Sequence, residues 1–247
     1  MKNPSREKMD PFEIVTSDFR LRFRRDLEEL QTDLAKATSA NAYCWIKKGN
    51  ITKALAVDSK RSLDIGCGWG RELNLLPNSV GIDICLPFLR TAKNYTNNDV
   101  VLATIDFLPF REDAFDLIVM SEVIEHLENA QNAMKEAFRV LQNKGKLILQ
   151  TPNKQITKQK VVAEKYGHVH EFSLKELFRF LSDFNFQVMG WLSSTIPYIP
   201  SSSRLAMLDG NVVFFKIWKL LDKLCPLKWD IIIFAQLFKT RNIVNES

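Results

Sequence analysis

The chain reads as a doubly wound α/β protein: a mostly parallel, seven-stranded sheet with helices on both faces, an N-terminal helical extension, and a helical insertion between strands six and seven. Three observations predict this. Apolar runs recur at Ser62–Cys67, Ser79–Ile84, Val100–Ile105, Phe115–Met120 and Lys146–Gln150, and two more follow at Phe186–Leu192 and Asp230–Phe238. The stretches between the early runs have the length and patterning of helices, and such alternation builds a parallel sheet with crossover helices. Finally, Gly66, Gly68 and Gly70 close the first run, as a strand turning sharply into a loop requires.

Taken in order, residues 1–11 are a polar, charged leader. From about Ser17 to Ala37, Arg20, Arg22, Arg24, Arg25, Asp26, Glu28 and Glu29 are interleaved with Phe19, Leu21, Phe23, Leu27 and Leu30, the pattern of a surface helix. Ala40 to Ala56 reads as a second helix, with a break at Gly49-Asn50. Residues 1–58 therefore form the extension and 59–247 the main domain. Within it, helices are expected over Trp69–Leu76, Leu86–Tyr95, Val123–Leu127 and Ala130–Gln142, the last ended by Asn143-Lys144-Gly145 as C-cap and turn. A further helix is expected over Ser173–Leu181. The insertion, residues 193–229, holds a basic amphipathic stretch in which Lys216, Lys219 and Lys223 share one face while Val213, Phe214, Ile217, Leu220, Leu221 and Leu224 fill the other. That face packs on the sheet or, with Trp218, lies on a membrane surface.

Composition bounds the partners. With 247 residues and 46% hydrophobic content, the chain can bury the core of one decorated domain. A net charge of +5 is mild and spread along the chain, so it permits an anionic partner without requiring one. Cysteines at 44, 67, 85 and 225 form no Cys-x-x-Cys pair, which fits a reduced compartment. The leader has no apolar h-region and no stretch reaches the ~20 apolar residues that span a bilayer, so a cytoplasmic protein, peripheral to the membrane at most, is expected.

The chemistry concentrates at the ends of the predicted strands. In Asp64-Ile65-Gly66-Cys67-Gly68-Trp69-Gly70 the glycines let backbone approach a ligand, and Asp64 puts a carboxylate beside it. A nicotinamide fingerprint would need glycine where Arg71 stands, which weakens a dehydrogenase reading. Asp83, nineteen positions beyond Asp64 at the end of the second strand, sits where doubly wound nucleotide sites place an acceptor for ribose hydroxyls, with Ile84 next to it. Asp106 and Phe107 follow the third strand and offer an acceptor for an amine beside an apolar surface. The fourth strand ends in Ser121-Glu122 and turns into a short helix on which Glu122, Glu125 and His126, at i, i+3 and i+4, could share a face toward a divalent metal. The remaining two histidines, His168 and His170, cluster in Tyr166-Gly167-His168-Val169-His170-Glu171-Phe172 before a helix, and either could take a proton near neutral pH or merely cap and pack.

These motifs together resemble the class I S-adenosylmethionine-dependent methyltransferases, in particular the type 11 and quinone-biosynthesis O-methyltransferase families. The likeness runs from about residue 60 to 192 and leaves both ends uncovered. It implies a Rossmann-like fold, S-adenosylmethionine as cofactor and S-adenosylhomocysteine as product. The cofactor residues it implies are Asp64, Gly66, Cys67, Gly68, Gly70, Asp83, Ile84, Asp106, Phe107, Ser121 and His126, with His168, His170 and Glu122 on the catalytic side. Quinone enzymes carry a similar acid-x-x-acid-His set for a metal, but the same letters recur in relatives without one, and no metal is expected here. The Asp/Asn-Pro-Pro-Tyr/Phe signature of enzymes that methylate nucleic-acid amino groups is absent after the fourth strand, which argues against base N-methylation, and no nucleic-acid partner is expected. The expected reaction is methylation, at oxygen, of a small-molecule or lipid- or glycan-linked acceptor. The alternatives are an RNA methyltransferase and a non-catalytic cofactor-binding scaffold.

Overall fold

The computed structural model describes residues 49, 52, 53, 55, 56, 58–154, 167–194 and 230–239. The predicted helix over 17–37 and the insertion with Lys216, Lys219 and Lys223 lie outside the described residues. All seven predicted runs are strands: β1 (Ser62–Ile65), β2 (Ser79–Asp83), β3 (Asp99–Leu102), β4 (Phe115–Ser121), β5 (Leu141–Pro152), β6 (Phe186–Ser194) and β7 (Asp230–Leu237). They form one sheet in the order β3-β2-β1-β4-β5-β7-β6. The first five are parallel, and β7 runs antiparallel between β5 and β6.

Both faces of the sheet are covered, which is why its central strands read as unbroken apolar runs rather than as alternation. On one face Leu63, Ile65, Ile118, Met120, Leu147 and Leu149 pack with Ala133, Met134, Ala137 and Val140 of α2 (Ala130–Val140) and Leu177 and Leu181 of α3 (Leu174–Asp183). On the other, Leu117, Val119, Ile148 and Ile232 meet Leu76, Leu55 and Ala56, while Leu89 of α1 (Leu86–Tyr95) packs with Cys67 and Leu73. Each fully buried Leu, Ile, Val or Met side chain among these contributes about 1.5–3 kcal/mol. Described positions 49, 52, 53 and 55 are helical, and Asn50 of the expected Gly49-Asn50 break lies outside the described residues. Thr52 ties this segment to the sheet by accepting a 2.8 Å hydrogen bond from Gln150 Nε2.

Three predicted helices are shorter than their patterns suggest. Trp69–Leu76 shrinks to a 3₁₀ turn at Leu73–Leu75. Gly70 at φ 92° cannot belong to a helix, and Leu76 before Pro77 is already extended, so one turn is all the space between. Val123–Leu127 shrinks to a 3₁₀ turn at Ile124–His126, because Glu122 takes φ 56° and breaks the helical path at its start. The predicted C-cap at Asn143-Lys144-Gly145 is instead part of β5, since α2 ends at Val140 and Leu141 at once pairs with Phe115. Lys144 at φ 63° absorbs the register shift that follows.

α3 carries a capping box: Ser173 Oγ accepts from Glu176 N at 3.3 Å, and Glu176 Oε2 accepts from Ser173 N at 2.8 Å. The Ser173 backbone and then the Lys154 ammonium at 3.0 Å hold the Glu176 carboxyl down to about 2. A depressed carboxyl stabilises the fold above its unfolded value, and that contribution disappears as pH falls from about 4.5 to about 2. Ser173→Ala is expected to cost about 1 kcal/mol, and Glu176→Gln to flatten the pH dependence in that window, as measured by urea unfolding at pH 7, 4 and 2.5.

Candidate functional site

The strand order reverses direction between β1 and β4, and a doubly wound sheet opens a crevice beyond the carboxyl ends of the strands at such a point. The loops after β1, β2 and β4 meet there: a hydrogen bond joins the first two, and Val123 after β4 stands against Gly66. Asp83, at the end of β2, accepts from Gly68 N at 2.9 Å through Oδ2 and from Cys85 N at 2.8 Å through Oδ1, so it clamps the glycine loop to the next strand. Burial raises its carboxyl above the usual range, while these backbone donors pull it back.

The three glycines have different reasons to be glycine. A Cβ on Gly66 would collide with Val123 Cγ2, and one on Gly70 would stand 2.9 Å from Thr96 Cγ2 and 3.0 Å from Ala92 Cβ. Those two are demanded by packing against the β4 turn and α1. Gly68, at φ 53°, has nothing within 4 Å of the position its Cβ would take, so it faces open space in a conformation that side-chain-bearing residues rarely adopt. Cys67 is buried against β2, and burial pushes its thiol well above the ordinary value.

Asp64 lies on the covered face of β1 at 1% exposure, and its Oδ2 has no hydrogen-bond partner among the described residues. Burial first, then the neighbouring Glu72, pushes its carboxyl well above the carboxylate range. Glu72, itself buried, is held bidentately by Arg71 at 2.7 and 2.8 Å. Sequence reading passed over this pair. Ile84 (51% exposed) and Phe107 (77% exposed) are large apolar side chains left open just beyond the adjacent strands β2 and β3. Asp106 is bracketed by Thr104, whose Oγ1 donates to Asp106 Oδ2 at 3.3 Å.

The β4 end and the histidine loop are interlocked. The Glu125 carbonyl accepts from Val169 N at 2.8 Å and His170 N at 3.1 Å, and His126 Nδ1 lies 3.3 Å from the Gly167 carbonyl. His168 stacks edge-on against His126 with centroids 5.0 Å apart and places Nδ1 2.9 Å from Glu171 Oε1. His170 is exposed and edge-on to Phe172 at 4.4 Å. Ser121 Oγ donates to Gln150 Oε1 at 3.3 Å. Because the turn is 3₁₀ and Glu122 sits at φ 56°, the expected helical face of Glu122, Glu125 and His126 does not form. Among the described residues, the group that does converge is Glu125, His126 and His168, with one ligand atom of each within 4.8 Å of the others. Its chain separation hid it; only the Gly167 and Glu171 neighbours of His168 gave any local hint.

Residues 63–149 match the family model described as methyltransferase domain. A protein of Methanocaldococcus jannaschii is 31% identical over 167 residues, covering 65% of this chain and 69% of its own. The chain belongs to the class I S-adenosylmethionine-dependent methyltransferases. A second protein of that archaeon is 37% identical over 136 residues, and the match spans 53% of this chain and only about half, 54%, of that relative. A human protein named probable tRNA methyltransferase 9B is 38% identical over 91 residues, covering 35% of this chain and 20% of its own. The solved structure of an S-adenosylmethionine-dependent methyltransferase from Thermotoga maritima superposes with a TM-score of 0.65 at 18% identity, covering 88% of this chain and 98% of its own, which shows the shared fold. The methyltransferase's own crevice suits the family's cofactor: the buried unpartnered Asp64 Oδ2 can accept from an ammonium, and the open space over Gly68 can receive a ligand against backbone.

Proposed function

We propose that this methyltransferase transfers a methyl group to an oxygen of a small-molecule or lipid-linked acceptor. The single observation that carries the reading is the interlock at the Glu125 carbonyl, which holds the histidine loop against the β4 turn whose Val123 abuts Gly66. Bound S-adenosylmethionine supplies a methyl group already activated on sulfonium for in-line displacement. In this reading Asp83 accepts the ribose hydroxyls, Gly66, Cys67, Gly68 and Gly70 carry the backbone cradle, and Asp64 meets the amino-acid end. Ile84 and Phe107 cover the adenine faces and Asp106 accepts its amine, which gives the exposed apolar side chains a partner. Ser121 and His126 border the cofactor at the β4 end.

The protein's remaining tasks are to align the acceptor, exclude water and remove one proton. His170 is the exposed imidazole of the loop and suits the last task, since a neutral imidazole offers one ring nitrogen as a proton acceptor. His168 is withdrawn, with its side chain 8% exposed and engaged by Glu171, so it supports the loop or a ligand rather than meeting the acceptor in solvent. Glu122, at the strained junction after β4, is the alternative proton acceptor. In this reading residues 1–58 serve as an extension and 193–229 as the acceptor-side insertion, whose basic, amphipathic sequence would bring lipid-linked acceptors to a cytoplasmic enzyme.

Extracts incubated with the protein and methyl-labelled cofactor test this by mass spectrometry. The expected product is a small or lipid molecule carrying a labelled O-methyl group, with turnover lost by tenfold or more in His170→Ala. A second reading, methylation of RNA, is supported by the tRNA-named human relative and the +5 charge. Label recovered in nucleosides after nuclease digestion, with steeply salt-dependent RNA binding, would replace the first reading. Cofactor binding without label in any fraction would leave a scaffold.

A further inference from the structure

We propose that Glu125, His126 and His168 together bind one divalent cation of the zinc class. Nothing in the acid-x-x-acid-His pattern assigns His168, and the pattern's Glu122 is not part of the converging group. The three residues come from two segments, the 3₁₀ turn after β4 and the loop before α3, joined by the two hydrogen bonds to the Glu125 carbonyl. His126 Nε2 stands 4.0 Å from Glu125 Oε1, and one ligand atom of each residue lies within 4.8 Å of the others. Donors on a zinc ion sit about 2.0–2.2 Å from the metal, so modest rotation of the exposed His126 ring closes the set.

What distinguishes this cluster from a chance meeting of polar side chains is that each candidate ligand is oriented by a second group, as metal ligands are. Thr151 Oγ1 donates to Glu125 Oε2 at 3.0 Å. The Gly167 carbonyl and the Glu171 carboxylate can only accept, so the neutral rings of His126 and His168 donate from Nδ1 and carry their lone pairs on Nε2. Both imidazoles are thereby set in the tautomer that ligates through Nε2. Glu125 is fully buried, and a carboxylate there is stabilised by positive charge. Two imidazoles and one carboxylate are a donor set for zinc rather than magnesium, which prefers oxygen ligands and water. Three protein ligands leave coordination positions open, and the cation's charge there would favour an ionised acceptor oxygen. The cation site stands apart from the acceptor proposal, because binding is read without turnover.

The test uses the untagged full chain, freed of metal with a chelator, titrated with zinc chloride by calorimetry and with cobalt(II) by visible absorption. The expected result is one equivalent bound at micromolar Kd or tighter, with the intense bands of four-coordinate cobalt, and magnesium binding weaker by at least a hundredfold. His126→Ala and His168→Ala should each weaken zinc binding by a hundredfold or more, and Glu171→Gln by about 10–100-fold. Because Glu125 is buried and its variants can misfold, the exposed His126 is the decisive position, with an unchanged far-ultraviolet circular dichroism spectrum and a cooperative thermal unfolding transition as the check that the fold survives. No zinc binding by the wild type would overturn the proposal. So would equal affinity in both histidine variants, or a thiolate charge-transfer band that puts cobalt on cysteine.

Discussion

Gly68→Val is expected to weaken S-adenosylmethionine binding by at least a hundredfold while leaving the protein folded. Gly68 holds φ 53°, a conformation that a β-branched residue adopts only at a cost of about 1–2 kcal/mol. Yet nothing in the fold stands within 4 Å of the new side chain, so it meets no packing obstacle and projects into the space assigned to the ligand. Asp83→Ala is expected to lose about 10–100-fold by a different route. It removes the proposed ribose acceptor and also the anchor of Gly68 N and Cys85 N, charge-assisted hydrogen bonds of about 1.5–3 kcal/mol each. Asp83→Asn keeps one carbonyl acceptor and should fall between the wild type and alanine. Calorimetric titration with the cofactor and with S-adenosylhomocysteine measures all three. Unchanged affinity in folded Gly68→Val and Asp83→Ala would remove the cofactor from this crevice.

Phe115→Ala should be the most destabilising single truncation in the sheet, at about 3–5 kcal/mol. Phe115 is 0% exposed at the start of β4, meets Phe110 edge-on with centroids 4.9 Å apart, and lies 5.3 Å beneath the Arg61 guanidinium. Truncation therefore removes apolar burial, an aromatic pair and a cation–π contact together. Against a total stability of about 5–15 kcal/mol, the loss corresponds to roughly 6–20 °C in Tm at about 2–4 °C per kcal/mol. Urea unfolding and calorimetry check this, and a loss below 1 kcal/mol would mean that the β4 entrance is not the packed element described. Added S-adenosylmethionine should recover part of the loss through its preference for the folded state.

The strands were legible because burial on both faces writes itself into composition: Leu63, Ile65, Ile118, Met120, Leu147 and Leu149 serve one side of the sheet and Leu117, Val119 and Ile148 the other. The glycine loop was legible too, although for mixed reasons. Two of its glycines answer to Val123, Thr96 and Ala92, contacts between segments that no local pattern displays. The short helices were over-read because their amphipathic spacing is real but their ends are set elsewhere. Gly70 at φ 92° and Glu122 at φ 56° stop helical propagation from outside the apolar pattern, and Leu141 leaves α2 to pair with Phe115.

By itself the sequence determined which segments become strands, where the glycine loop lies, and which acids stand at the strand ends, since periodicity and glycine placement are local properties of the chain. Tertiary structure alone decided that β7 enters antiparallel between β5 and β6, that Thr52 meets Gln150, and that His168 joins Glu125 and His126 across forty-odd positions. Those juxtapositions depend on how parallel strands bring their carboxyl ends to one edge and on two hydrogen bonds to a single carbonyl at Glu125. A backbone carbonyl is the same at every residue, so no side-chain pattern could announce the bonds that assemble this cluster.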